Sequence, residues 1–278
     1  MPDLSFIAPD IYGARPDYVD RFNTGRNAVF VLNQGVNSYG GYAYCDWPWR
    51  IAFALAGAPY NALGINLFRL VGDPPWNDTT PLFWGLVNSG SGIRPPWFKD
   101  YTAAWQWFPW AYAVRNSVVG LRAVADLIPD TQGTTRLVSF MAGYGPFAQV
   151  DRAVLVLDNL HVEVKLAAAA ECDSDWSTFG SGSRGLLLQS AERDLTLVGV
   201  GYTATLQVDT RAWALRTERG WWEGTAWHRT GEVIAGTVAV DDSTGFVTVQ
   251  FSADDLANQD SSALQYVVRV YDAGQSTP

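Results

Sequence analysis

The sequence predicts a mainly β protein: a β-sandwich or jelly-roll-like domain with one inserted helix, followed by a second, immunoglobulin-like sandwich. Three observations lead to this fold class. Short apolar runs are separated by turn residues along most of the chain. Several of these runs alternate apolar and polar residues with the period of a half-buried strand. Residues 111–128 are the best helix candidate, because their apolar residues recur at helical spacing.

The composition limits the classes of function. Of the 278 residues, 48% are hydrophobic and 17% are charged, which is not the composition of a disordered chain. The 28 acidic and 19 basic residues give a net charge of −9, with no basic cluster that could follow a nucleic-acid backbone. No signal peptide and no membrane-spanning segment is recognisable in the sequence. We therefore expect no nucleic-acid partner and no membrane span.

Residues 1–25 are predicted to form an extended N-terminal arm. Prolines at positions 2, 9 and 16 disfavour regular structure in this segment. The apolar side chains of Phe6, Ile7, Ile11 and Tyr12 could then pack on another surface. An arm that holds a neighbouring subunit and a frayed terminus are both open at this point.

Residues 26–194 are predicted to form a β-rich domain with loops rich in tryptophan and proline. Residues 27–71 alternate short apolar runs with turn residues, whereas residues 72–110 fit neither strand nor helix periodicity. Side chains in such loops face a partner or pack within the chain, so these tryptophans are candidates for an interface, with burial in the core as the alternative. The candidates here are Trp76, Trp97, Trp105, Trp107 and Trp110.

The inserted helix is predicted over residues 111–128. One apolar stripe is formed by Val114, Val118, Leu121, Ala125 and Ile128. Pro129 is expected to end the helix, because proline cannot continue the backbone hydrogen bonding.

Residues 195–278 are predicted to form a C-terminal β-sandwich module. Asp241–Gly245 is predicted to be a hairpin loop in which Gly245 takes a positive φ. The returning strand then has an apolar face, formed by Val247, Val249 and Phe251. Trp221 and Trp222 form a smaller group of tryptophans in this module and complete the candidate interface residues.

The C-terminal module also carries a recurring pattern. Residues 236–249 read G-x-V-x-V-D-x-x-x-G-x-V-x-V, Ser252–Asp255 reads S-x-x-D, and residues 264–274 form a last strand followed by Asp272-Ala273-Gly274. In these parts the module resembles a β-sandwich of tailed-phage virions that occurs in baseplate and tail proteins. In upper baseplate proteins that module is N-terminal, whereas here it is C-terminal. The resemblance implies an assembly role and no catalytic residues.

Candidate metal-binding and catalytic residues are few. His161 and His228 are far apart in sequence, and His161 lies on the polar side of the predicted strand 160–166, where it is expected to face solvent. Cys45 and Cys172 are interpreted as buried free thiols, with a disulfide left open. The sequence predicts no metal site and no cofactor.

Paired carboxylates beside tryptophans are the one enzymatic alternative. A glycoside hydrolase needs two carboxylates across a cleft, and Glu218 with Glu223, or Asp73 with Asp78, are the candidate pairs. Acidic residues are equally common in turns simply because they keep these segments soluble. We therefore expect a protein without enzymatic activity.

These features together predict a non-enzymatic structural protein of a bacteriophage virion. It would occupy the tail, the baseplate or a fibre-connecting position and assemble with copies of itself and with other virion proteins. A capsid jelly-roll or capsid-associated protein is the alternative within this class. The alternative from another class is a carbohydrate- or receptor-binding module whose tryptophans stack on the sugars of a host-surface glycan.

Overall fold

The computed structural model describes residues 6–7, 28–34, 57, 64–67, 86–88, 105–107, 118–131, 133–141, 152–167, 183–251 and 267–275. Within these ranges the chain is mainly β, as predicted. The described strands are, in chain order, β1 (Phe6–Ile7), β2 (Ala28–Gln34), β3 (Gly64–Leu67), β4 (Leu86–Asn88), β5 (Trp105–Trp107), β6 (Leu137–Met141), β7 (Arg152–Leu157), β8 (Leu160–Leu166), β9 (Arg184–Ala191), β10 (Asp194–Val200), β11 (Tyr202–Leu206), β12 (Leu215–Glu223), β13 (Ala226–Glu232), β14 (Val238–Val240), β15 (Val247–Phe251) and β16 (Val267–Asp272).

Two antiparallel sheets pack together as an open β-sandwich. The six-stranded sheet has the order β13-β12-β16-β10-β9-β6, and the five-stranded sheet has the order β14-β15-β11-β8-β7. Buried apolar side chains of both sheets meet in one core, among them Leu187, Leu197 and Val268 from the larger sheet and Val164, Leu206 and Val249 from the smaller. The burial of these residues stabilises the sandwich.

The strands follow the predicted alternation. In β8, Leu160, Val162, Val164 and Leu166 are buried, whereas His161 is exposed as expected. The hairpin of β14 and β15 turns through Asp241–Gly245, where Gly245 has a φ of 75° and its N–H donates to the Asp241 carbonyl at 2.7 Å. These predictions are confirmed, because one buried face imposes a period of two on each strand.

The boundary predicted between residues 194 and 195 lies inside the sandwich. Asp194 is the first residue of β10, which pairs with β9 on one side and with β16 on the other. In the smaller sheet, β11 pairs with both β8 and β15. Both sheets therefore take strands from both sides of residue 194, and the described strands β6 to β16 belong to one sandwich.

A helical segment, residues 118–131, covers the outer face of the six-stranded sheet. It consists of helical residues 118–122, a turn at 123–124, a 3-10 turn at Ala125–Leu127 and the short helix α1 (Ile128–Thr131). Its buried residues Ala123, Val124 and Leu127 pack with sheet residues such as Leu186 and Trp222 in a second core. The sandwich therefore has a third layer in this region.

Of the helix predicted over residues 111–128, the structure describes residues 118–128, which are helical in outline but not one regular helix. Residues 111–117, with Val114 of the predicted stripe, lie outside the described ranges. Among the described residues of the predicted stripe, Val118 and Ala125 are exposed, whereas Leu121 and Ile128 pack partly against the second core. The turn at 123–124 shifts the helical phase, so the two halves cannot share one stripe. Pro129 does not end the helix: it lies in the first turn of α1, where a proline costs no intrahelical hydrogen bond.

Two smaller sheets involve the N-terminal part of the chain. Strands β1, β2 and β3 form a three-stranded parallel sheet, and β4 pairs with β5 in antiparallel fashion. Residues 86–88 and 105–107 are therefore regular strands, contrary to the prediction of an irregular segment. Strands of three residues are too short to show a period in the sequence. None of the described helices is long and apolar enough to cross a membrane.

Candidate functional site: a cleft beside Trp221

A cleft of about 570 Å³ lies between the helical segment and the hairpin of β12 and β13. It is lined by Val119, Arg122, Ala123, Ala125, Asp126, Trp221, Trp222 and Glu223. A volume of this size falls within the range of small-molecule sites, ~300–1,000 Å³. The lining combines an aromatic residue with charges of both signs, which is the composition of a polar-ligand site.

Two hydrogen bonds donated by main-chain N–H groups hold the two walls of the cleft together. The last pair between β12 and β16 joins Arg219 to Val268, and β12 then continues to Glu223 beside the helical segment. There the Trp222 N–H donates to the Ala123 carbonyl at 2.8 Å. The Gly224 N–H donates to Asp126 Oδ2, also at 2.8 Å. Because both donors are backbone groups, the fold of the chain itself positions the two walls of the cleft.

Trp221 lines this cleft. The residue is 37% exposed, and its ring stacks on the ring of His228 with a centroid distance of 5.2 Å and an interplanar angle of 13°. Trp221 and His228 are direct cross-strand partners, and His228 Nε2 lies 2.9 Å from Glu223 Oε2. These contacts orient the exposed indole, and the assignment of Trp221 to an interface stays a prediction.

Arg122 is a charged residue of the cleft whose side chain is available to a ligand. Its side chain is exposed and makes no hydrogen bond or ion pair in the part of the chain that the structure describes. Asp126 and Glu223 each use one carboxylate oxygen, Asp126 for Gly224 and Glu223 for His228. The cleft therefore offers hydrogen-bond donors and acceptors next to an aromatic surface.

Trp222 is not an interface residue. It is 6% exposed, belongs to the second core, and its Nε1–H donates to Thr196 Oγ1 at 3.0 Å. Consecutive residues of a strand point to opposite faces, so the neighbours Trp221 and Trp222 differ in environment. The sequence interpretation had assigned both to a partner surface, and for Trp222 this was wrong.

Next to the cleft lies a buried arginine that sequence reasoning missed. Arg269 of β16 is 8% exposed and bonds Asp194 with both ends of its guanidinium, Nε to Oδ1 at 2.9 Å and Nη2 to Oδ2 at 2.5 Å. Its guanidinium carbon lies 4.7 Å from the ring centroid of Trp222, 5.5 Å from that of Trp227 and 4.2 Å from that of Tyr271. The cluster is paired and enclosed, which indicates a structural role.

A sequence signal for this cluster exists. Arg269 stands between Val268 and Val270 in an apolar strand, and a charge in such a run is buried only with a partner. The alternation of the strand places Arg269 on the side opposite to the apolar face. It does not reveal that the helical segment and neighbouring aromatic rings cover the side on which Arg269 lies.

Glu218 and Glu223 do not form a catalytic pair. They are separated by an odd number of positions on β12 and therefore project to opposite faces of the sheet. Glu218 accepts a hydrogen bond from Trp227 Nε1 at 3.1 Å and lies 3.7 Å from Arg229 Nε. Burial raises the pKa of the Tyr271 hydroxyl, and the carboxylate of Glu218 raises it further. Glu218 thus belongs to the arginine cluster and Glu223 to the cleft.

The other predicted interface residues are placed only in part. Phe6 and Ile7 form β1, whose backbone pairs with Ala28 and Val29 of the same chain. Trp105 and Trp107 are the end residues of β5, opposite Asn88 and Leu86. Several further residues singled out in the sequence lie outside the described ranges: Ile11, Tyr12, Cys45, Asp73, Trp76, Asp78, Trp97, Trp110 and Cys172.

Within the described ranges, no group of three or more His, Cys, Asp or Glu side chains is arranged to hold a metal ion. Comparison with known proteins gives no match to any family model and no match to any curated protein.

Proposed function

We propose that this chain is a non-enzymatic structural protein of a bacteriophage virion, in a tail, baseplate or fibre-connecting position. The resemblance of residues 195–278 to the virion module supports the proposal. In the described residues, the hairpin of that pattern is β14 with β15, and its last strand is β16. The hairpin belongs to one sheet and the last strand to the other, so the pattern spans the sandwich.

The observation that carries the assembly role is an apolar edge strand. β7 is the end strand of the five-stranded sheet and, in the described part of the chain, pairs only with β8. Its residues Val154 and Val156 are 57% and 51% exposed, opposite the polar residues Glu163 and His161 of β8. An exposed apolar edge is the surface on which another strand adds to a sheet. We expect a neighbouring virion subunit to add there.

The edge is tested by the double substitution Val154→Lys and Val156→Lys. Lysines on an edge strand oppose strand addition. We expect the unmodified protein to sediment as an oligomer and the double variant as a monomer with an unchanged Tm. Gln250→Lys is the matched control, because Gln250 is exposed on β15 of the same sheet but not at this edge. A double variant that assembles like the unmodified protein contradicts assembly through β7.

The location is tested on particles of the phage that encodes the chain. We expect the protein to remain with gradient-purified virions at a fixed copy number, as measured by mass spectrometry. Its absence from purified particles, together with its presence in the lysate, would overturn the proposal.

A further inference from the structure

We infer that the cleft beside Trp221 binds a sugar ring of a glycan, a pyranose that stacks on the indole. This site does not depend on the virion proposal, since it follows from the cleft's own side chains. A binding role and an assembly role use different surfaces of the chain, the cleft at β12 and the edge at β7.

The aromatic surface fits one face of a pyranose. The C–H groups of such a ring carry a slight positive charge and form a flat apolar patch, which matches the negative π face of an indole. The stack on His228, at 5.2 Å and 13°, orients the Trp221 ring before any ligand arrives. A surface ordered in advance reduces the entropy lost on binding.

The polar groups fit the hydroxyls at the edge of the same ring. A hydroxyl both donates and accepts hydrogen bonds. Asp126 binds Gly224 through Oδ2 and leaves Oδ1 as an acceptor, and Glu223 binds His228 through Oε2 and leaves Oε1. Arg122 supplies the donors, and it has no other partner in the described residues.

The mixture of charges favours a neutral ligand. A cationic peptide would meet the guanidinium of Arg122, and an anionic ligand would meet the two carboxylates in a chain of net charge −9. A neutral polyhydroxyl ring can use both kinds of group. It also needs the apolar platform that Trp221 provides.

The experiment measures binding of the full chain to a glycan array of hexoses, N-acetylhexosamines and deoxyhexoses. Calorimetry then follows with the oligosaccharide that binds most strongly. We expect Trp221→Ala to weaken binding by about tenfold or more, as removal of an aromatic anchor does. Arg122→Gln should also weaken binding. It removes an exposed side chain that has no hydrogen bond or ion pair among the described residues, so we expect folding to be retained.

Arg216→Gln is the matched control, since Arg216 is exposed on the same strand and does not line the cleft. It should bind sugar like the unmodified protein. Tetralysine is the competing probe for a cationic peptide. The proposal is overturned by binding to none of the array glycans, by sugar binding that Trp221→Ala and Arg122→Gln leave unchanged, or by a preference for tetralysine.

Discussion

Arg269 shows how this protein keeps a charge inside an apolar layer. The guanidinium has lost its water, since the residue is 8% exposed. Asp194, itself 5% exposed, supplies a bidentate ion pair, and three aromatic rings lie around the cation. A buried pair of this kind contributes little over an apolar pair of equal volume, but either charge alone is costly.

We therefore predict that Asp194→Asn lowers the free energy of unfolding by ~3–5 kcal/mol, because it leaves the Arg269 charge buried and unpaired. Chemical denaturation measures this loss. Glu232→Gln is the control: Glu232 pairs with Arg229 at the surface, where its side chain is 76% exposed, so its loss should be small.

The double substitution Asp194→Leu with Arg269→Met distinguishes the cost of an unpaired buried charge from the contribution of side-chain packing. It removes both charges and should be less destabilising than Asp194→Asn. A double variant that is as unstable as the sum of its single variants would contradict this account.

The pKa of an exposed carboxylate, Asp209, is lowered by its neighbour Arg211. The side chain of Arg211 donates to it, with Nε 2.8 Å from Oδ1 and Nη2 2.5 Å from Oδ2, and the Arg211 backbone N–H donates as well. These hydrogen bonds lower the pKa of Asp209 from 3.8 to about 2. Because the folded pKa is the lower one, the contact stabilises the fold above pH 3.8 and this contribution is lost as the pH falls through about 2.

We predict that Arg211→Gln returns the pKa of Asp209 toward 3.8. An NMR titration of the Asp209 carboxyl carbon in the unmodified protein and in the variant measures the shift. A titration midpoint that does not move would show that other groups lower this pKa.

At the residue scale, the sequence predicted what alternation and turn chemistry determine. The exposure of His161 and the positive φ of Gly245 follow from local rules. The burial of Trp222 and the pairing of Arg269 do not. They depend on the helical segment and on Asp194, both far away in the chain.

The pairing of β9 with β10 depends on a close backbone approach. Gly199 has a φ of 133°, and a Cβ added to it would lie 2.1 Å from the Arg184 carbonyl oxygen and 2.7 Å from Gly185 Cα. No side chain fits there without moving the neighbouring strand.

Gly199→Ala should therefore destabilise the fold by more than about 1 kcal/mol, measured by thermal or chemical denaturation. Gly133→Ala is the control. Gly133 also has a positive φ, but apart from its chain neighbours no atom of the described residues lies within 4 Å of its added Cβ. Equal losses in the two variants would mean that the backbone angle, and not the contact between strands, sets the cost.

At the element scale, strands were predictable and the helix only in outline. Each buried strand carries its own period, as β8 and β15 show. The helical segment is interrupted where the Ala123 carbonyl accepts from Trp222 N–H, a contact over almost 100 positions of sequence. The spacing of apolar residues within 111–128 cannot predict this hydrogen bond with Trp222, and so it cannot predict the interruption.

At the scale of the whole molecule, the predicted arm remains to be tested. Deleting residues 1–25 would also remove β1, which pairs with β2 of its own chain. The double substitution Ile11→Ser with Tyr12→Ser tests the arm more specifically, because both residues follow β1 in the chain and the strand is kept. We predict that it weakens assembly in sedimentation while the Tm stays unchanged, because apolar contacts of the arm are lost. An unchanged sedimentation profile would speak against an arm that holds a neighbour.

The domain boundary was the least predictable feature of the whole molecule. Turn residues mark where strands end, and the sequence shows them clearly around residue 194. They do not show which strands become neighbours in a sheet. In this sandwich β16 lies beside β10, and β11 lies between β8 and β15, so strands distant in sequence decide where the domain begins.

The position of β16 also has a consequence for the order of folding. Among the described strands, β16 is the one that pairs with both β12 and β10, and so it joins the hairpin of β12 with β13 to β10, β9 and β6 in one hydrogen-bonded sheet. During synthesis, these two halves emerge from the ribosome before residues 267–272 do. Their backbones cannot pair into one sheet until that strand is available, so the sheet closes late. Nascent chains that stop before β16 would expose two open strand edges and would be substrates for chaperones.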